Sequence, residues 1–100
     1  MECDRTLAFN GSVRLTDLGF LNQFSALPVG TFYAVSAGQR YVVSRIPFAQ
    51  QKSWKLVAEE LGGRDYISLN LYLPRSGALL RPCEMPEQKV TDFVLGLSVQ

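Results

Sequence analysis

Residues 50–73 read QQKSWKLVAEELGGRDYISLNLYL, and the two halves of this stretch carry different periods. In the first half Trp54, Val57, Ala58 and Leu61 fall at i, i+3, i+4 and i+7, the spacing of one helical face. Gln51, Lys52, Lys55, Glu59 and Glu60 point elsewhere, so the spacing predicts an amphipathic helix over 50–61. Gly62-Gly63 would close that helix, because a left-handed C-cap penalises a Cβ. In the second half the alternation is strict. Ile67, Leu69, Leu71 and Leu73 take one side and Tyr66, Ser68, Asn70 and Tyr72 the other, which predicts a half-buried strand over 66–73.

The segments on either side add strands and helices. Residues 31–37 (TFYAVSA) and 40–46 (RYVVSRI) are rich in aromatic and branched residues and flank a turn at Gly38-Gln39, which predicts a hairpin. Pro47 has no N–H to donate and is expected to stop the ladder. Beyond residue 73, Pro74-Arg75-Ser76-Gly77 reads as a turn and 78–83 as a returning strand. Pro86 suits the first turn of a last helix, whose face is Val90, Phe93, Val94 and Leu97. Toward the amino terminus, Asn10-Gly11 is a hairpin turn between 6–9 and 12–15. Thr16-Asp17 could cap a short helix over 18–26, with a loop as the competing reading, ended by Pro28 and Gly30.

The pattern repeats. Residues 31–61 read strand-strand-helix, and so do 66–97. Trp54, Val57, Ala58 and Leu61 map onto Val90, Phe93, Val94 and Leu97 under one constant shift, while Gln51-Lys52 and Gln88-Lys89 are offset by one residue more. The expectation is a single α+β domain over 1–100. It has an amino-terminal hairpin or short helix (6–30) and two strand-strand-helix units (31–61 and 66–97). A mainly antiparallel sheet of four or more strands carries two helices on one face, since two amphipathic helices need one apolar surface. The expected core is Trp54, Val57, Leu61, Ile67, Leu69, Leu71, Phe93, Val94 and Leu97. Leu69→Asp should unfold such a domain.

Composition excludes several functions. The chain has 100 residues, 47% of them hydrophobic, with 10 Lys+Arg against 9 Asp+Glu and no His. A net charge of +1 argues against a strong electrostatic commitment to nucleic acid or anionic membrane. No apolar run approaches the ~20 residues of a membrane span, and Met1-Glu2-Cys3-Asp4 does not begin a signal peptide. Without His there is no Ser-His or Cys-His nucleophile pair. Cys3 and Cys83 are the only cysteines. They form no Cys-x-x-Cys motif, so no metal site is expected. With no secretory route, they point to a reducing cytoplasm.

Ile46-Pro47-Phe48, a helix, Gly62-Gly63-Arg64 and then Ile67-Ser68-Leu69 form an ordered set. It resembles the small linker domain of cyanobacterial phycobilisome rods, also found on cyanobacterial ferredoxin–NADP reductase. That family shows an aliphatic-Pro-aromatic start, an amphipathic helix, Gly-Gly-basic and an aliphatic-Ser-aliphatic strand. The resemblance covers about residues 46–69. The chain departs from the family by one extra residue at or near Asp65, by a tighter hairpin before Pro47, and by about thirty residues after the match. What the resemblance implies is a noncatalytic domain that docks onto a larger assembly, with no catalytic residues.

Few residues suggest chemistry. Glu59 and Glu60 are adjacent and would diverge by about 100° on a helix, so they make no carboxylate dyad. Cys83, next to Arg81-Pro82, could be a reactive thiol or a small buried residue. Five arginines (Arg40, Arg45, Arg64, Arg75, Arg81) and four tyrosines (Tyr33, Tyr41, Tyr66, Tyr72) could line a face that stacks single-stranded bases. The charge balance and the lack of an RNP-type, KH or zinc-knuckle motif argue against it. The most informative feature is the polar side of residues 66–72. Tyr66, Asn70 and Tyr72 are expected on an open sheet face. Tyr41 and Arg45 join them if Val42 and Ile46 face the helices. Tyrosine offers area plus a hydrogen bond, so this set is the expected interface of a small noncatalytic protein–protein interaction module. It could be a homodimer or part of a larger assembly. The alternatives are a single-stranded nucleic-acid binder and a small enzyme or ligand-binding subunit. No cofactor and no metal is expected.

Overall fold

Alternation prevails over helical spacing in the segment that carries both. A computed structural model describes residues 13–15, 18–48, 50, 52–73 and 78–100. Its elements are β1 (Val13–Leu15), α1 (Leu18–Ala26), β2 (Gly30–Ser36), β3 (Gln39–Phe48), β4 (Ser53–Glu60), β5 (Tyr66–Tyr72), β6 (Ala78–Pro82), α2 (Glu87–Leu95) and β7 (Ser98–Val99). The strands form one seven-stranded sheet in the order β1-β6-β5-β4-β3-β2-β7, antiparallel at every pairing. The α+β class, the antiparallel sheet and two helices on one face hold. The Asn10-Gly11 hairpin turn, the Thr16-Asp17 cap and the 74–77 turn lie outside the described residues.

The expected helix over 50–61 is strand β4. Its inward side chains are Trp54, Leu56 and Ala58, a period of two that shares Trp54 and Ala58 with the helical stripe. Leu56 and Ala58 are fully buried. Val57, expected in the core, points to the other face and is half-buried, and Leu61 sits exposed in the following turn. β4 is paired along its length with β3 (Phe48↔Ser53 to Tyr41↔Glu60) and with β5 (Ser53↔Tyr72 to Glu59↔Tyr66). Two flanking strands satisfy its backbone and override local helix preference. Gly62-Gly63 therefore caps no helix. It belongs to the β4–β5 turn, where the Glu60 N–H donates to the Asp65 carbonyl at 2.9 Å and Gly62 adopts φ +77°. Residues 31–61 are consequently three strands, not a strand-strand-helix unit. The second helix on the sheet is α1, the one that competed with a loop.

The β2–β3 turn also differs by one residue. Ser36 pairs with Gln39, so Ala37 and Gly38 are its central residues, both at positive φ (51° and 80°), as a two-residue hairpin loop requires. Pro47 does not stop the ladder, since it pairs with Trp54 and the strand continues to Phe48. β2 begins at Gly30, opposite Arg45. Pro47 thus lies past the end of β2, where β3 has a neighbour on one side only and tolerates a missing donor.

Both helices cover the same face. α1 places Phe24 edge-on to Trp54 at 6.4 Å, and α2 places Phe93 edge-on to Tyr41 at 4.9 Å. Between helices and sheet lie Phe20, Phe24, Val43, Leu56, Ile67, Leu69, Leu71, Leu80, Val90 and Val94, all essentially without solvent contact. The Gln23 amide donates to the Leu97 carbonyl at 3.0 Å and joins α1 to the chain just past α2.

Candidate interaction face

The opposite face of the sheet carries neither helix. Strand register places its side chains in rows that cross the strands. One row is Tyr33–Val42–Glu59–Tyr66, the next Thr31–Ser44–Val57–Ser68. Below them run Ile46–Lys55–Asn70–Arg81 and Phe48–Ser53–Tyr72–Leu79. Tyr33, Ile46 and Phe48 are 55%, 40% and 50% exposed, while Val42, Val57, Tyr66, Tyr72 and Leu79 are half-buried. Thr31 and Ser44 join their hydroxyls at 2.9 Å in the middle row. Ser68 ends that row, fully buried, and its Oγ has no hydrogen-bond partner among the described residues. Arg40, Lys55 and Arg81 supply positive charge on this side, and Glu59 negative charge.

Tyr66, Asn70 and Tyr72 therefore share the open face, as their alternation indicates. Tyr41 and Arg45 do not join them. Val42 and Ile46 point outward, and Tyr41 and Arg45 lie under the helices, each 5% exposed. The register decides this: Val42 stands across from Glu59, which stands across from Tyr66. The face members that sequence reasoning missed are Val42, Ile46, Phe48 and Val57; Tyr33 entered only among the tyrosines of the single-stranded nucleic-acid reading. Reading 53–60 with a period of two would have found Val57, and the register that follows finds Ile46 and Phe48.

Each of the two inward residues has a structural task. Arg45 donates from Nη2 to the Leu27 carbonyl at 2.7 Å and from Nε to the Pro28 carbonyl at 3.4 Å. Its guanidinium lies 4.1 Å from the Trp54 ring centre and 5.3 Å from that of Phe24. Burial lowers its pKa. Tyr41 donates its hydroxyl to Asp65 Oδ2 at 2.9 Å, and Lys89 of α2 donates to Asp65 Oδ1 at 2.7 Å. The Lys89 hydrogen bond, and less so the Tyr41 hydroxyl, holds the Asp65 carboxyl below its ordinary value against the opposing effect of burial. Burial first, and then the Asp65 carboxylate, pushes Tyr41 up from 10.0 to about 12.

The sign of the pH dependence follows. A raised Tyr41 pKa contributes stability that is complete below about pH 10 and is lost as the pH rises through about 12. The lowered Asp65 contributes stability that is lost as the pH falls below the carboxylate range. Tyr41→Phe is expected to flatten the alkaline limb, by at most about 2.7 kcal/mol between those limits at ~1.36 kcal/mol per pH unit. Urea midpoints of parent and variant from pH 9 to 12 measure this, and parallel curves would refute it.

A shallow depression of about 300 Å³ lies beside the β4–β5 turn, lined by Glu59, Glu60, Gly63, Arg64, Asp65 and Tyr66. Among the described residues no group of three or more His, Cys, Asp or Glu could hold a metal ion. Cys83 is buried and disulfide-bonded, so it is no reactive thiol. Among the described residues no helix is long and apolar enough to cross a membrane.

The chain matches no family model, and no curated protein or solved structure matches it. The resemblance to the rod-linker domain rests on residues 46–69 alone, and the part of it that called for a helix is occupied by β4.

Proposed function

We propose that this chain is a small noncatalytic protein-interaction module and that the helix-free face of the sheet is its contact surface. The observation that carries the reading is that, among the described residues, both helices pack on one side of a seven-stranded sheet. The other side presents Tyr33, Ile46 and Phe48 of β2 and β3 to solvent, with half-buried Val42, Val57, Tyr66 and Tyr72 on β3, β4 and β5. Contiguous apolar and aromatic surface with few charges is what protein interfaces present. The partner is a protein, either a second copy or a subunit of a larger assembly, the latter being what the linker-domain resemblance implies. No cofactor or metal takes part. The bonded Cys83 favours an oxidising compartment over the expected cytoplasm.

The test is copurification from the native host at low and high salt, for the parent chain and for Ile46→Ser/Phe48→Ser. A protein retained at high salt by the parent and lost by the folded variant supports the reading. Equal retention by both would remove the face from the interaction.

A second reading has its own observation. Arg40, Lys55 and Arg81 share the face with Tyr33, Phe48, Tyr66 and Tyr72, and stacked aromatics beside cations are how sheets hold single-stranded nucleic acid. Binding of that kind weakens with salt at a log–log slope of about −0.7 per neutralised phosphate. An oligonucleotide titration showing that slope would put this reading first.

A further inference from the structure

We infer that the β5–β6 side of the helix-free face is occupied by this chain's own amino-terminal segment, residues 1–12, strapped across it by a disulfide between Cys3 and Cys83. The inference confines the contact surface proposed above to the β2–β3 side and does not depend on what binds there.

The first observation is a gradient of exposure along one row. From β2 to β5 the row Thr31–Ser44–Val57–Ser68 passes from exposed, through half-buried, to no solvent contact at all. Cys83 extends the row by one strand. Its N–H donates to the Ser68 carbonyl at 2.9 Å, one step beyond the Leu69↔Pro82 pair. Alternation then turns its side chain to the side of Ser68 and Arg81, away from the core residue Leu80, and there it is buried. An outward side chain on a sheet covered on one face keeps contact with water, so the burial of Ser68 and Cys83 takes a layer above them. Both helices pack on the other side, and β1 lies beside β6 in the plane of the sheet. The burial is that of a single chain, so the layer is part of the chain. Lys55, Asn70 and Arg81, the polar side chains next to Ser68 on β4, β5 and β6, hold partners as well.

The second observation is the bond. Cys83 is disulfide-bonded, and the only other cysteine in the sequence is Cys3. β1 runs antiparallel to β6 with Val13 at Leu80, so the chain ahead of Val13 arrives from the Cys83 end of β6. Residues 4–12 reach ~30 Å when extended, against ~10 Å from Leu80 to Cys83 along the strand. The slack lets the segment pass over Ser68, one strand spacing from Cys83, and reach Val57, two spacings away at ~9.6 Å. It brings Leu7 and Phe9, apolar surface to lay against half-buried Val57 and Tyr66. The bond closes by thiol–disulfide exchange: each thiol gives a proton and an electron to a disulfide oxidant, which leaves as a dithiol.

The experiment takes two measurements on the purified full chain. Mass spectrometry of an unreduced tryptic digest should find the peptide holding Cys3 linked to the peptide holding Cys83, with the unreduced protein migrating as a monomer in denaturant. Hydroxyl-radical footprinting then reads side-chain exposure. After dithiothreitol treatment, and separately in Cys3→Ala/Cys83→Ala, oxidation of Val57 and Tyr66 should rise about threefold as they lose covering contacts. Tyr33 and Phe48 should not change. Circular dichroism melts show whether each form is folded. Alkylatable thiols in the unreduced protein overturn the proposal, as does a disulfide that joins two copies or an unchanged Val57 and Tyr66 footprint in a folded, bond-free chain. Should the bond-free forms not fold, the parent footprint decides: Tyr66 reacting as fast as Tyr33 overturns the strap, and Tyr66 protected beside a reactive Tyr33 supports it. Copurification that depends on Ile46 and Phe48 tests the interaction reading by itself, so either reading can fail while the other stands.

Discussion

Leu69→Asp and Leu56→Asp are each expected to abolish cooperative folding, whereas Val57→Asp is expected to leave a folded chain with a sharp melt. Leu69 and Leu56 stand opposite each other on β5 and β4 and have no solvent contact. An aspartate at either place meets the neighbouring core residues Ile67, Leu71 and Ala58. It must either remain charged in an apolar layer or take up a proton and leave a carboxyl group unpaired. Lost leucine packing alone removes about 2–5 kcal/mol. With the buried acid added, the sum reaches the roughly 5–15 kcal/mol by which small domains are stable.

Val57 is the discriminating comparison because it follows Leu56 directly. A helix over 50–61 puts Val57 in the core stripe and leaves Leu56 outside it. A strand reverses the two. On the helix-free face the Val57 change should cost about 1 kcal/mol, typical of a half-exposed position. Circular dichroism melts at low protein concentration separate the two readings. Complete unfolding by Val57→Asp with a tolerated Leu56→Asp would restore the helix.

That pair of residues also shows where the sequence is ambiguous. WKLVAEEL satisfies a helical spacing through Trp54, Val57, Ala58 and Leu61 and a strand spacing through Trp54, Leu56 and Ala58. Lys55, Leu56, Ala58, Glu59 and Glu60 are good helix formers besides. What settles the matter is non-local: β3 and β5 supply hydrogen-bonding partners on both edges of the segment. β5 had no such ambiguity, since Ile67, Leu69 and Leu71 alternate strictly with polar residues, and its facing is legible. So is α2, where Val90, Phe93 and Val94 are all buried. β3 reads poorly because RYVVSRIPF has apolar residues on both sides, Tyr41 and Val43 against Val42 and Ile46. Its facing depends on register, and one residue of slip reverses every side chain. Half of the open face was therefore legible, the half on β5.

Arg45 is the residue that charge alone places wrongly, and its removal is expected to have the second large effect. An arginine in a strand reads as outward-facing. Here the chain leaving α1 supplies two carbonyls, those of Leu27 and Pro28, and Trp54 supplies a ring, so the guanidinium is satisfied beneath the helix layer. Arg45→Ala removes hydrogen bonds from a charged donor, worth about 1.5–3 kcal/mol each at best, and a desolvated cation–π contact worth about 2 kcal/mol. Burying the charge offsets part of this. A net loss of about 3 kcal/mol is expected, within the range for breaking a buried polar network. Arg45→Lys keeps the charge but not the planar fork that spans two carbonyls while lying on a ring, so it should recover about half. Arg45→Met keeps the stem and lacks every donor. If the guanidinium acts by tying the end of α1 to the sheet, Met should fall below Lys in urea midpoint, and amide exchange in α1 should quicken in both. A Met variant as stable as the parent, with α1 equally protected, would mean that Arg45 fills space and its hydrogen bonds contribute nothing net.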